Sequence, residues 1–149
     1  MTAAESALDR ALNAPASAPR RVGVFGGTFD PPHRGHVSVV RDVADALRLD
    51  EIVWVPAYHS PLKPDAPETP PEVRLEMVRH AADADPRFRV DDREILRGGP
   101  SYTVDTLRQM RAGPLADAEE VVLIMGVDQY GSFDRWREPD AIRALATIA

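Results

Sequence analysis

The stretch Arg21-Val-Gly-Val-Phe-Gly-Gly-Thr-Phe-Asp-Pro-Pro-His-Arg-Gly-His36 passes from an apolar run through a glycine pair and two prolines to two histidines. Val22, Val24 and Phe25 have the composition of a short buried strand, Val22 to Phe25. Gly26-Gly27 predicts a tight turn with bare main-chain N–H groups, because neither residue carries a Cβ that would hold an anion away. Asp30-Pro31-Pro32 blocks regular structure as far as His33. Val37, Val40, Ala44 and Leu47 then recur at helical spacing, which predicts a helix from Gly35 to Arg48 with His33 and His36 astride its start. Unpaired N–H groups and the macrodipole favour phosphate at a helix N-terminus, and histidines add donors where charge develops in phosphoryl chemistry. The stretch is neither a Walker A loop, which needs lysine and a hydroxyl residue after the last glycine, nor a G-x-G-x-x-G fingerprint. On residue types alone, two other readings stay open: polar residues beside a βα turn, or a metal site of Asp30, His33 and His36.

Length and composition narrow the field. A chain of 149 residues that is 44% hydrophobic suits one domain with its own core. No run approaches the roughly 18 apolar residues of a membrane span, and Met1-Thr-Ala-Ala-Glu-Ser lacks a basic n-region followed by an apolar core, so export is not expected. The absence of cysteine removes disulfides, thiolate nucleophiles and cysteine-rich zinc sites, and suits a cytoplasmic location. A net charge of -6 argues against nucleic-acid backbone binding but not against a small anionic ligand in a local positive cleft. His33, Arg34, His36, Lys63 and Arg74 could line one.

Residues 1–20 are rich in Ala, Pro and Ser and read as a disordered tail, leaving 21–149 as the domain. Further expected elements are a strand Ile52 to Val55, a helix Glu72 to Ala84, and a strand within Phe88 to Leu96, split near Asp91-Asp92. A helix Thr103 to Arg111 follows, capped by Ser101 or Thr103, then a continuous apolar strand Val121 to Met125 ended by Gly126. A helix from Pro139 to about Leu145 leads into a strand opening at Ala146 to Ala149. The order predicts an α/β fold with a Rossmann-like, doubly wound parallel sheet, whose ligands bind beyond the carboxyl ends of the strands. Four loops there hold the candidate residues, favouring one composite site.

The run His33-Arg34-Gly35-His36 resembles the H-x-G-H signature of the nucleotidyltransferase superfamily, and Gly-Gly-Thr-Phe-Asp-Pro-Pro-His resembles the longer form in the nicotinate-nucleotide adenylyltransferases. Pro100-Ser-Tyr-Thr-Val-Asp-Thr-Leu107 and Met125-Gly-Val-Asp-Gln129 are similar to two further elements of that family. The resemblance implies adenylyl transfer from ATP to nicotinate mononucleotide, with Mg2+ accompanying ATP. It makes His33 and His36 catalytic and gives Gly26, Gly27, Thr28, Phe29, His33, Gly35, His36, Gly126 and Asp128 to ATP. Asp30, Lys63, Ser101, Tyr102, Thr103, Trp136 and Arg137 fall to the acceptor, the indole stacking on the pyridine ring and main-chain N–H groups near Thr103 or Arg137 holding its carboxylate. Arg74, in Arg74-Leu-Glu-Met77, matches an element of the family but is read as a surface residue on an amphipathic helix. Nucleic-acid and membrane partners are not expected, and a homo-oligomer is compatible with the sequence. The family pattern continues into a strand and a Ser/Thr-rich segment ending in arginine that is not in this sequence, so the fold is expected to be C-terminally incomplete. Rival readings are another nucleotidyltransferase, such as a phosphopantetheine adenylyltransferase, and a nucleotide-binding module without turnover.

Overall fold

Three adjacent strands carry apolar residues on both faces, and this places them at the centre of the sheet. The computed structural model describes residues 20–62 and 69–149. Among them β1 (Arg21–Gly27), β2 (Glu51–Pro56), β3 (Phe88–Val90), β4 (Glu120–Ile124) and β5 (Thr147–Ile148) form a parallel sheet in the order β3-β2-β1-β4-β5. The helices are α1 (Arg34–Leu47), α2 (Pro71–Ala82), α3 (Arg93–Arg97), α4 (Thr103–Arg111), α5 (Val127–Ser132) and α6 (Pro139–Leu145), with a 3-10 turn at Phe133–Arg135.

Odd and even residues part to opposite sides. Val22, Val24, Val53, Val55, Val121 and Leu123 pack with Val104, Leu107 and Met110 of α4 and Ile142 of α6. Phe25, Ile52, Trp54, Val122 and Ile124 pack with Val40 and Ala44 of α1 and Val78 of α2. Each fully buried aliphatic side chain contributes about 1.5–3 kcal/mol relative to exposure. Gly23 is demanded by this packing, since a Cβ there would lie 2.7 Å from Ile52 Cδ1 and 2.9 Å from Ile124 Cδ1. The sheet is thus covered on both sides, as expected of a doubly wound fold, and its strand order reverses between β1 and β4. No helix among the described residues is long and apolar enough to cross a membrane.

Several local expectations need correction. Gly26 and Gly27 do not turn; they extend β1 and pair with Val55 and Pro56 of β2. The turn comes at Thr28 to Pro32, where Phe29 has φ 51° and the Asp30–Pro31 peptide is cis. Positive φ is unfavourable for a bulky residue, and Phe29 is held there by burial of its ring against Phe25 and Trp54. The second half of the expected strand Phe88 to Leu96 is helix α3, because Asp91 turns the chain by accepting the Arg93 N–H at 2.9 Å. Neither Ser101 nor Thr103 caps α4 through its side chain; Tyr102 is the N-cap residue. Helices α5 and the 3-10 turn after it were not expected, although α4 and α6 have the predicted bounds. Residues 1–19 of the predicted tail lie outside the described residues, whereas Arg20 pairs with Glu51 at 2.6 Å.

Candidate active site at the carboxyl ends of the strands

The loops after β1, β2 and β4 and the N-terminus of α4 enclose a cleft of about 1110 Å³. Every residue assigned above to catalysis, ATP or the acceptor except Lys63 lines it: Gly26, Gly27, Thr28, Phe29, Asp30, His33, Gly35 and His36 from one wall, Ser101, Tyr102 and Thr103 from another, and Gly126, Asp128, Trp136 and Arg137 from the third. Arg34 and Arg74, expected to add positive charge, do not line it. Lys63 lies outside the described residues.

His33 and His36 cap α1 with each other. The His33 N–H donates to His36 Nδ1 at 3.0 Å, and the His36 N–H is shared between His33 Nδ1 at 3.3 Å and the His33 carbonyl at 3.0 Å. This is a capping box in which imidazoles replace the usual hydroxyl and carboxamide. The rings stack with centroids 3.7 Å apart. Gly35 makes the fold-back possible, because a Cβ there would sit 2.9 Å from the His33 ring. A ring nitrogen that accepts a hydrogen bond cannot carry the proton, so each neutral imidazole bears its hydrogen on Nε2. Burial, and secondarily the nearby His33, hold His36 below the ordinary histidine pKa. Phe29 and Phe25 supply that burial, with the Phe29 ring edge-on to His36 at 5.2 Å.

The glycines of the cleft floor have a different basis. A Cβ on Gly26 would meet nothing closer than 3.8 Å, and one on Gly126 nothing within 4 Å, so packing does not exclude a side chain at either position. Both residues line the cleft, where an added Cβ would find room rather than a clash. Gln129 Oε1 accepts the Gly126 N–H at 3.1 Å at the start of α5, whose first turn carries the exposed Asp128.

On the opposite wall Ser101 joins loops. Its Oγ accepts the Tyr58 N–H at 3.0 Å and its own N–H donates to the His59 carbonyl at 2.9 Å. Arg137 lies over the Tyr102 ring, 4.2 Å from the centroid. Trp136 is half-buried, packs on Phe133, and donates from Nε1 to Ser132 Oγ at 3.3 Å. Asp30 accepts the Thr69 N–H at 2.8 Å, and hydrogen bonding from Thr69, through its side chain first and its main chain second, holds the carboxyl below the ordinary carboxylate value. Phe29 lines the cleft although its ring is buried against Phe25 and Trp54.

Two features escaped the sequence. Glu94 lines the cleft although it is 7% exposed, and burial raises its pKa against the hydrogen bond it accepts from Thr106 Oγ1 at 2.7 Å. No local pattern marks it, since its partner lies twelve residues away. Arg74, read as a surface cation, is fully buried and is not among the residues lining the cleft. No three His, Cys, Asp or Glu side chains among the described residues are grouped so as to hold a metal ion. The cleft therefore offers imidazole and main-chain donors, carboxylates at its rim, and aromatic surface: the means to bind a phosphorylated ligand bearing a flat ring.

A family model described as cytidylyltransferase-like matches residues 24–149. The chain is 44% identical over 129 residues to a Chromobacterium violaceum protein named "Probable nicotinate-nucleotide adenylyltransferase", covering 87% of this chain and 60% of that one. It is 39% identical over 125 residues to an Aquifex aeolicus protein of the same name, covering 84% of this chain and 73% of that one. Among solved structures, a Plasmodium falciparum nicotinic acid mononucleotide adenylyltransferase complexed with NaAD matches with a TM-score of 0.68 and 19% identity, over 83% of this chain and 60% of that one. That likeness concerns the fold. The chain spans about three-fifths of the length of the Chromobacterium relative.

Proposed function

The chain belongs to the cytidylyltransferase-like family, and on that premise we propose that it transfers an adenylyl group from ATP to nicotinate mononucleotide, in the cytoplasm, as a step of NAD biosynthesis. A phosphate oxygen of the mononucleotide attacks the α-phosphorus of MgATP. The bond from that phosphorus to the bridging oxygen breaks, and pyrophosphate leaves as nicotinic acid adenine dinucleotide forms. The attacking phosphate is already ionised, so the chain has to align two phosphorylated ligands and stabilise charge on the transferring group.

The reciprocal histidine cap carries this reading. With both Nδ1 atoms engaged by main-chain N–H groups, the free Nε2–H groups of His33 and His36 are donors beside the positive end of α1. In our reading they bind phosphate oxygens of ATP, and the bare faces of Gly26 and Gly126 give the nucleotide room. Asp128 accepts from ribose hydroxyls. Mg2+ arrives as part of the nucleotide and is held by phosphate oxygens and water. The acceptor lies between Ser101–Thr103 and Trp136, with Asp30, Lys63 and Arg137 in its surroundings.

The test is pyrophosphate release with ATP, Mg2+ and a panel of nicotinate mononucleotide, nicotinamide mononucleotide and phosphopantetheine. Release dominated by nicotinate mononucleotide is the expected result. Dominance of another acceptor would replace the substrate, and ATP binding without release from any of them would replace catalysis by nucleotide binding.

A further inference from the structure

Arg74 stands in the first turns of α2 with its whole side chain inside the protein. Burying a cation costs several kcal/mol unless its N–H groups find acceptors, and this guanidinium finds them on the main chain. Nε donates to the Thr69 carbonyl at 2.9 Å, Nη1 to those of Thr28 at 2.8 Å and Ala57 at 2.6 Å, and Nη2 to that of Tyr58 at 3.0 Å. These carbonyls lie in irregular backbone just beyond β1, just beyond β2 and just before α2. Such segments have no ladder to hold them in register, so a planar fork of donors joins what the sheet cannot.

The connection runs onward to both walls of the cleft. Ala57 N–H donates to the Gly27 carbonyl at 2.9 Å, and Thr69 N–H reaches Asp30. On the other side Tyr58 N–H holds Ser101 Oγ, and Ser101 N–H holds the His59 carbonyl. Thr28, five residues before His33, is thereby tied through one guanidinium to Ser101, two residues before Thr103. We propose that Arg74 is a positioning residue that sets the spacing between the histidine wall and the Ser101 wall, so that two ligands meet in line. This rests on the adenylyl-transfer reading for what the walls hold, but the mechanical tie does not. A reacting group misplaced by about 1 Å loses on the order of 100-fold in rate, so the tie bears on function although Arg74 stands back from the cleft.

The experiment compares Arg74→Gln, Arg74→Lys and Ser101→Ala with the unaltered chain. Amide exchange without ligand is expected to rise about tenfold or more in residues 26–30, 57–60 and 100–103 of Arg74→Gln while Val121 to Ile124 stay protected. Arg74→Lys should resemble Arg74→Gln, because one ammonium cannot span carbonyls placed for a fork. Ser101→Ala, which cuts only the last link, should loosen 57–60 and 100–103 and spare 26–30; it decides the matter if the Arg74 variants do not fold. Nicotinic acid adenine dinucleotide, which would span both walls, should bind Arg74→Gln about 30-fold more weakly, with ATP and nicotinate mononucleotide each changed less than about threefold. Unchanged exchange in the three segments, restoration by lysine, or equal weakening of all three ligands would overturn the proposal. If the unaltered chain binds none of these ligands, the adenylyl-transfer reading fails, and the exchange data alone decide the brace.

Discussion

The imidazoles of His33 and His36 stack at a centroid distance of 3.7 Å while each Nδ1 accepts the other residue's main-chain N–H, at 3.3 Å and 3.0 Å respectively. One arrangement therefore ends a helix and sets the tautomer of two cleft-lining rings. Stability and chemistry are joined in the same pair of rings, through Nδ1 and Nε2 respectively, and substitution can part them.

His36→Ala removes the return half of the capping box, the acceptor of the His33 N–H, together with the Nε2 donor, while the bond from its own N–H to His33 Nδ1 stays. It is expected to lower kcat by 10²–10³-fold, or about 2.7–4 kcal/mol. The lost hydrogen bond should also cost about 1 kcal/mol of stability, a fall of about 2–4 °C in Tm. His36→Gln can accept the His33 N–H as a capping-box glutamine does, so its Tm should stay near that of the unaltered chain while kcat remains low. Calorimetry and pyrophosphate release on the two variants test the separation; a His36→Ala chain within twofold of normal rate would remove His36 from the mechanism.

Stability should rise with pH across the histidine range. Burial first, and His33 second, hold His36 below its ordinary pKa of 6.5, so the unfolded chain takes up this proton more readily than the folded one. The contribution is whole above about pH 6.5 and is lost as pH falls through the folded value. Urea unfolding between about pH 5 and pH 7.5 should show this slope, and His36→Gln should flatten it. Equal slopes in both chains would place the titration elsewhere.

Trp136 is held by Phe133 and by its bond to Ser132. If it stacks on the acceptor's ring, Trp136→Ala should weaken acceptor binding by about 1–3 kcal/mol while ATP binding is unchanged, and Trp136→Phe should recover part of the loss. Calorimetric titration of each ligand separates the effects; equal loss for both would make Trp136 a packing residue.

Asp85, away from the cleft, joins the end of α2 to β3. It accepts the Arg87 N–H at 2.9 Å and two guanidinium bonds at 3.0 and 2.8 Å, which hold its carboxyl down at about 2. Its stabilising effect is present above the ordinary carboxylate pKa and fades as pH falls toward about 2. Asp85→Asn should cost about 1.5–3 kcal/mol at neutral pH, the worth of hydrogen bonds to a charged group, and should weaken the dependence of stability on acid. Denaturation at neutral and acid pH measures both.

The cleft was legible in the sequence to the extent that its residues sit at strand ends. Apolar runs mark β1, β2 and β4, and breakers bound the helices Thr103–Arg111 and Pro139–Leu145 where the structure has them. Gly26-Gly27 misled because glycine permits a turn without requiring one, and pairing with Val55 and Pro56 draws both residues into the strand. Arg93 to Arg97 misled because a short helix held at one end by Asp91 has too few residues to show a period.

What the amino-acid sequence by itself determined is the alternation of strand and helix, the parallel sheet it entails, and the gathering of histidine, glycine and aromatic residues beyond the strand ends. These follow from period, breakers and chain direction, all of which are local. Only the tertiary structure decided that Arg74 is interior, that Ser101 bridges loops rather than capping α4, that Glu94 is a buried carboxyl, and that two histidines cap one another. The physical reason is that a polar group's role is set by the acceptors that surround it. For Arg74 those are carbonyls as far away in the chain as Thr28 and Ala57, brought within 2.8 and 2.6 Å only when β1, β2 and α2 have packed together.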